Sequence, residues 1–197
     1  MTESMRTKWL VKVGMLSAVA FLLQLLEFPL GIFPAFLQID FSDVPALLAG
    51  FSLGPAAGVA VELIKNILHL ILKNSGTGGV GELANFLIGS AIVIPAALVY
   101  KRKHTRKMAI YGLVTGTLVM TLVGVLANLY ILIPFYSTAF GMPIEAIVAM
   151  GTEVNSAVVD LQTLVLYGIV PFNLLKGVIV SLVTVLIYKR LSPILHR

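Results

Sequence analysis

Residues 164–188 read LVLYGIVPFNLLKGVIVSLVTVLIY, an apolar run interrupted by one lysine, Lys176. A helix of about 20 mostly apolar residues crosses the hydrocarbon core of a bilayer, so this run is long enough to span a membrane. A lysine inside such a helix costs about 2.5–3.5 kcal/mol on insertion scales and therefore normally faces a polar cavity or a partner. Asn173 lies three residues earlier, on the same helix face. The run predicts a membrane helix whose polar face has a functional role.

The composition of the whole chain is that of a membrane protein. Of its 197 residues, 58% are hydrophobic and 12% are charged, and the mean hydropathy is +1.00. Because soluble domains carry about 25% charged residues, these values predict a multi-pass helical bundle. The length suits a single transmembrane domain, 1–197. The sequence has no cysteine, which excludes disulfides, iron–sulfur clusters and thiolate-bound zinc.

Six helices are predicted, and the basic residues orient them. The apolar runs cover 10–28, 43–54, 55–72, 82–100, 109–133 and 164–188. The second run is short enough for a re-entrant segment. Only a crossing, however, leaves the basic clusters near Arg6 and at 101–107 on one side, as the positive-inside rule requires. We therefore expect an all-α integral membrane protein with six transmembrane helices and both termini in the cytoplasm.

Three connections between these helices have distinct patterns. Residues 29–40 (PLGIFPAFLQID) are too apolar for a free loop and too broken for a helix, which predicts a lid or an interfacial plug. Residues 74–81 contain G-x-G-x-x-G without a preceding strand, so a flexible outer loop is expected rather than a dinucleotide site. Pro134 should end the fifth helix, and 135–163 should form a long outer loop with a surface helix near 143–150.

The third predicted helix has a polar side. Its members at helical spacing are Glu62, Lys65, Asn66, His69 and Lys73. A seam that pairs its own polar groups is favoured over a proton relay, because Glu62 is within reach of both Lys65 and Asn66 on a helix. His69 has no second ligand at a zinc-like spacing, so no metal site is predicted.

Four polar residues lie at a similar depth in the outer half of the predicted bundle. They are Asn85, Asn128, Asn173 and Lys176. Their common depth predicts a pocket that opens outward beneath 29–40, with apolar walls from Leu83, Phe86 and Phe172. A carboxamide offers a donor and an acceptor side by side, which suits an imide or amide edge of an uncharged ligand. The alternative for each asparagine alone is a helix–helix hydrogen bond.

Nothing in the sequence favours catalysis or direct use of ATP. There is no Ser/His/Asp or Cys/His set on one side, no HExxH and no nucleotide-binding motif, so we predict that the chain is not an enzyme and needs no cofactor. Two classes remain open: a substrate-binding component of a larger transporter, and a self-sufficient carrier or channel for a small polar solute.

Motifs along nearly the whole chain resemble one family. The matching stretches are 39–45 (IDFSDVP), 54–58 (GPAAG), 65–66 (KN), 84–86 (ANF), 120–121 (MT), 126–134 (LANLYILIP) and 168–177 (GIVPFNLLKG). With these motifs the chain resembles the riboflavin-specific substrate-binding (S) components of bacterial energy-coupling factor (ECF) transporters. The resemblance implies a six-helix S-component bundle in the plasma membrane that binds riboflavin from outside. FMN or another small vitamin remains an alternative ligand.

The resemblance also implies which residues contact ligand and partners. Riboflavin contacts carry over to Asn128, Asn173 and Lys176, with Asn85, Phe86 and the lid residues Leu37 and Asp40 as further candidates. Transport then requires a transmembrane coupling protein and a pair of ATPase subunits. In this family a small-residue motif on the first helix docks on the coupling protein, and here the corresponding pair is Gly14 and Ala18. Packing of that pair inside the same bundle is the alternative.

Overall fold

The computed structural model describes residues 3–73 and 76–195 and is helical almost throughout. The α-helices are α1 (Glu3–Gln24), α2 (Asp43–Leu53), α3 (Pro55–Leu72), α4 (Val80–Arg102), α5 (Arg106–Ala127), α6 (Ile133–Ala139), α7 (Ile144–Thr152), α8 (Leu161–Leu164) and α9 (Val170–Leu195). Two π-helical segments, Asn128–Leu132 and Val165–Ile169, join α5 to α6 and α8 to α9. Asn74 and Ser75 of the predicted glycine-rich loop, and the C-terminal Arg197, lie outside the described residues.

The helix positions match the predictions, but several helix ends differ: α1 begins at Glu3 rather than near residue 10, and α9 continues to Leu195 rather than ending near residue 188. The first helix ends at Gln24 rather than near residue 28, because Phe28–Pro29 pairs as a short antiparallel strand with Gln38–Ile39. Pro134 does not end the fifth helix, which continues to Ala139. Proline fits there because it occupies the first turn of α6, directly after the π-helical segment. The surface helix predicted near 143–150 is present as α7.

Five helical segments of the described chain are long and apolar enough to cross a membrane. The second predicted helix is different: α2 has 11 residues, so at about 1.5 Å per residue it is roughly half as long as a bilayer core is thick. Residues 43–51 are buried without exception, so α2 has no lipid-facing side over this range. This short, buried helix packs against the long helices α1, α3, α4 and α9.

Glycines set the close approach of α4 and α5. A Cβ at Gly116 would lie 2.5 Å from the Ile92 carbonyl oxygen, and one at Gly112 would lie 2.6 Å from the Ala96 carbonyl oxygen. The two glycines form a GxxxG pair, which lets membrane helices pack backbone against backbone. The pattern is visible in the sequence, although our sequence analysis singled out only the small-residue pair of the first helix.

Candidate ligand-binding site

A cavity of about 480 Å³ lies at one end of the bundle. Its wall is built from the ends of α1 and α3, the first turns of α2, α4 and α9, and the π-helical segment and α6 that follow α5. Because successive helices alternate in direction, all of these segments lie opposite the exposed basic loop at 101–107. The wall includes all four polar residues that were predicted to converge, namely Asn85, Asn128, Asn173 and Lys176.

The shortness of α2 makes room for this cavity. Asp43, the first residue of α2, is 1% exposed and lies in the cavity wall. The hairpin of residues 28–39, whose ends pair Phe28 with Ile39, precedes α2 at this end of the bundle. Phe36, Leu37 and Gln38 of this hairpin line the cavity. The segment predicted to be a lid therefore lies against the cavity.

The hairpin also packs on α9 beside the polar site. The rings of Phe33 and Phe172 meet edge to face, with centroids 5.4 Å apart. Phe172 lines the cavity, so this aromatic pair joins the lid to the apolar part of the wall.

Asn128 and Asn173 have their amide groups oriented by their own helices. Asn128 Nδ2 donates to the Gly124 carbonyl oxygen and Asn173 Nδ2 to the Ile169 carbonyl oxygen, each at 2.8 Å. A carbonyl oxygen can only accept, so both side chains are left with their Oδ1 acceptors for a ligand. Asn128 Oδ1 is buried and has no hydrogen-bond partner among the described residues. Each Nδ2 also keeps a second N–H, so the side-by-side donor and acceptor expected from the sequence stay a prediction.

Gly124 positions both asparagines and was not singled out by the sequence analysis. Its carbonyl oxygen accepts from Asn128, and a Cβ on it would lie 2.7 Å from Asn173 Oδ1. Any larger residue would displace the Asn173 amide. Its position one helical turn before Asn128 is the feature of the sequence that could have identified it.

The two π-helical segments lie next to these asparagines. One begins at Asn128, and the other ends at Ile169, whose carbonyl oxygen accepts from Asn173. π-Helical turns are rare and occur frequently at functional sites. The two segments, one after α5 and one before α9, therefore support a functional role for Asn128 and Asn173.

Lys176 is held by two acidic residues at the base of the lid. Its Nζ lies 2.8 Å from Asp40 Oδ2 and 3.7 Å from Asp43 Oδ2. The other carboxylate oxygen, Asp40 Oδ1, accepts from the Ser42 backbone N–H at 2.7 Å. Asp40 is 1% exposed and is not among the cavity-lining residues, so its contact is with Lys176.

Lys65 extends this ionic network into the bundle. Its Nζ lies 2.6 Å from Asp43 Oδ1 and 2.8 Å from Glu62 Oε2, and it donates to Ser42 Oγ at 2.6 Å. The predicted internal pairing of Glu62 with Lys65 is confirmed, and the network also includes the start of α2. Lys65 is therefore a fully buried cation with several acceptors around it.

The remaining polar residues of α3 form the cavity rim with α1 and α4. His69 Nδ1 lies 3.0 Å from Glu82 Oε1, and Lys73 Nζ lies 2.8 Å from Glu27 Oε1. All four side chains line the cavity. The polar seam is thus paired largely with neighbouring elements rather than only within its own helix.

The other predicted residues lie away from the cavity. Phe86 is half-buried and Leu83 is 50% exposed, and neither is among the cavity-lining residues. Gly14 and Ala18 are exposed on the outer face of α1, and a Cβ on Gly14 would have no atom within 4 Å among the described residues. The alternative that this pair packs inside the bundle is therefore wrong, while its contact with a partner stays a prediction.

Comparison with known proteins assigns the family. The family model described as "ECF transporter, substrate-specific component" matches residues 8–188. This chain belongs to that family. It is a family of transporter components rather than enzymes, which confirms the predicted class and the resemblance seen in the sequence.

Individual relatives of this S component align along almost its full length. It is 39% identical over 192 residues to the riboflavin transporter RibU of Staphylococcus aureus (98% of this chain, 94% of the relative). It is 40% identical over 190 residues to the riboflavin transporter FmnP of Bacillus subtilis (96% and 94%). A solved structure titled "Structure and mechanism of the S component of a bacterial ECF transporter" superposes with a TM-score of 0.76 at 38% identity, covering 98% of this chain and 99% of that one.

Proposed function

We propose that this S component binds riboflavin with high affinity from the outer side of the bacterial plasma membrane, for ATP-driven uptake by an ECF transporter. The cavity that contains Asn128, Asn173 and Lys176 carries this proposal. Riboflavin has donors for the asparagine oxygens in its imide N–H and its ribityl hydroxyls, and Lys176 can donate to a ring carbonyl or a hydroxyl. The volume is within the range of small-molecule sites. The relatives named as riboflavin transporters support the same ligand.

The direct test of the ligand uses purified protein in detergent. We expect retained flavin to colour the protein yellow. We also expect the fluorescence of titrated riboflavin to be quenched stoichiometrically at low concentration. In liposomes that contain this chain alone, riboflavin should not accumulate, because the sequence carries no ATP-binding motif. A protein that leaves flavin fluorescence unchanged would overturn the ligand, and flux by the lone chain would favour a self-sufficient carrier.

Asn128→Ala tests the acceptor side of the site. The substitution should weaken riboflavin binding by about 1–3 kcal/mol, because a ligand donor is left buried without a partner. Binding is measured by fluorescence titration, with Asn155→Ala as a control for an asparagine outside the cavity. Equal affinity of Asn128→Ala and the unaltered protein would remove Asn128 from the site.

We propose that the chain is one domain, 1–197, that crosses the membrane six times with both termini in the cytoplasm. The basic loop at 101–107 supports this orientation, and α2 together with its hairpin would complete the sixth crossing. Because the chain has no cysteine, single cysteines can be introduced directly. Lys103→Cys should react with an impermeant thiol reagent only from inside, and Glu145→Cys only from outside. The reverse pattern would invert the topology.

We propose that the outer face of α1 docks on the ECF coupling protein, which works with a pair of ATPase subunits. Gly14 and Ala18 leave a shallow exposed strip there, flanked by Met15 at 67% exposure. Gly14→Leu should abolish co-purification with the coupling protein and leave riboflavin affinity unchanged. Thr115→Leu, on the exposed side of α5, is the matched control. Normal assembly of Gly14→Leu would show that the coupling protein uses another face.

A further inference from the structure

Gln24 lies in the cavity wall, and the sequence analysis did not identify it. It is the last residue of α1 and is 1% exposed. Its Nε2 donates to Asn66 Oδ1 on α3 across a distance of 3.3 Å. This is a buried hydrogen bond between two helices, and it fixes the carboxamide at the end of α1.

A chain of hydrogen bonds determines which end of the Gln24 amide is free. The Glu62 carbonyl oxygen can only accept, and it accepts from Asn66 Nδ2 at 2.8 Å. Asn66 must therefore present its oxygen to Gln24, so Gln24 must use its nitrogen in that contact. The group left over is Gln24 Oε1, an acceptor.

This acceptor is buried and has no hydrogen-bond partner among residues 3–73 and 76–195. Buried side-chain oxygens are nearly always hydrogen-bonded in native proteins, and leaving one unpaired is costly. Asn128 Oδ1, in another part of the cavity wall, is in the same state. Among the described residues, the unpaired buried atoms of Gln24, His69 and Asn128 belong to the cavity wall, and those of Glu62 and Ser90 do not. In the wall a bound ligand can supply the missing partner.

Gln24 and the asparagines belong to different walls of the cavity. Gln24 is on α1, which packs against α3, whereas Asn128 directly follows α5 and Asn173 is on α9, and these two helices pack against each other. A ligand that pairs with both sets must extend from one wall to the other. A flat ring system with a polyol chain carries hydrogen-bond donors at both of its ends.

We infer that Gln24 is a further ligand-binding residue, whose Oε1 accepts a hydrogen bond from a hydroxyl or N–H group of the bound flavin. The inference rests on the proposed function, because it takes riboflavin as the ligand. It assigns α1 two separate roles: its inner-facing end contacts the ligand, and its outer face carries Gly14 and Ala18.

The test combines Gln24→Met with ligands that each lack one kind of donor. Riboflavin, lumiflavin without the ribityl hydroxyls, and 3-methylriboflavin without the imide N–H are titrated into both proteins. Loss of one buried hydrogen bond should weaken riboflavin binding about tenfold in Gln24→Met. The loss of affinity caused by Gln24→Met should be absent for the analogue that lacks the group bound by Gln24. That analogue is lumiflavin if Gln24 binds a ribityl hydroxyl, and 3-methylriboflavin if it binds the imide N–H.

Two further variants separate ligand contact from packing. Ser17→Ala removes a buried polar group of α1 outside the cavity and should not change the affinity for any of the three ligands. Gln24→Leu removes the same acceptor with a differently shaped apolar side chain, so it should show the same pattern of losses among the three ligands even where Gln24→Met does not fold. An equal loss for all three ligands, or no loss for riboflavin, would overturn the role of Gln24. Failure of the unaltered protein to bind riboflavin would instead overturn the proposed function, and the inference with it.

Discussion

Lys176→Met should both abolish tight riboflavin binding and destabilise the fold. The substitution keeps the length of the side chain but leaves the Asp40 carboxylate, at 1% exposure, without the ammonium 2.8 Å away. Removing one partner of a buried ion pair costs about 3–5 kcal/mol of stability, because the remaining charge is not compensated. Thermal unfolding in detergent without ligand measures the loss of stability, and fluorescence titration measures the loss of riboflavin affinity.

A second substitution separates these two effects. Asp40→Asn in the Lys176→Met background removes the unpaired charge and should recover most of the lost stability. It should not recover riboflavin affinity, because the ligand still lacks its ammonium donor. If affinity returned together with stability, Lys176 would act on the lid rather than on the ligand. If Lys176→Met alone changed neither stability nor riboflavin affinity, the result would contradict both the ion pair of Lys176 with Asp40 and the role of Lys176 in the site.

Gly116→Ala should destabilise the protein although alanine is the better helix former. The new Cβ would lie 2.5 Å from the Ile92 carbonyl oxygen, which is backbone and cannot rotate away. The helices α4 and α5 would have to separate, and overpacking of this kind costs about 1–3 kcal/mol, more than the gain of about 0.5–1 kcal/mol in helix propensity. We expect a lower unfolding temperature and a smaller yield of folded protein.

Gly14→Ala is the matched control for that experiment. It makes the same chemical change in a helix, but its Cβ would meet no described atom within 4 Å. It should therefore leave stability unchanged or raise it slightly. If the two variants unfolded at the same temperature, close backbone packing of α4 on α5 would not be a source of stability.

Much of the fold followed from residue patterns along the chain. The apolar runs located the long helices, and Pro55 marked the start of α3 correctly. The convergence of Asn85, Asn128, Asn173 and Lys176 could also be anticipated. When helices alternate in direction, the end of one helix and the start of the next lie at the same level of the bundle. Depth in a bundle can be read from distance to the end of an apolar run.

Other features depend on the relative rotation of helices, which such patterns do not specify. Asp40 is 136 positions from Lys176, so their pairing is visible only in three dimensions. The Gln24 and Asn66 amides meet for the same kind of reason. The orientation of the asparagine amides follows from hydrogen bonds to Gly124 and Ile169, and a list of residue types contains no such information.

The π-helical segment at Asn128–Leu132 makes the outer wall of the cavity sensitive to chain length. A π-helical turn closes one residue later than an α-helical turn, so it behaves as a retained insertion. Deleting one exposed residue of the segment, such as Tyr130 at 74% exposure, would let an α-helical turn replace the wider turn, while the helix beyond it kept its orientation. Leu132 and Tyr136 would then stay in the wall, whereas the backbone next to Asn128 would become narrower. The spacing of this segment thus shapes the site as much as the identity of its side chains.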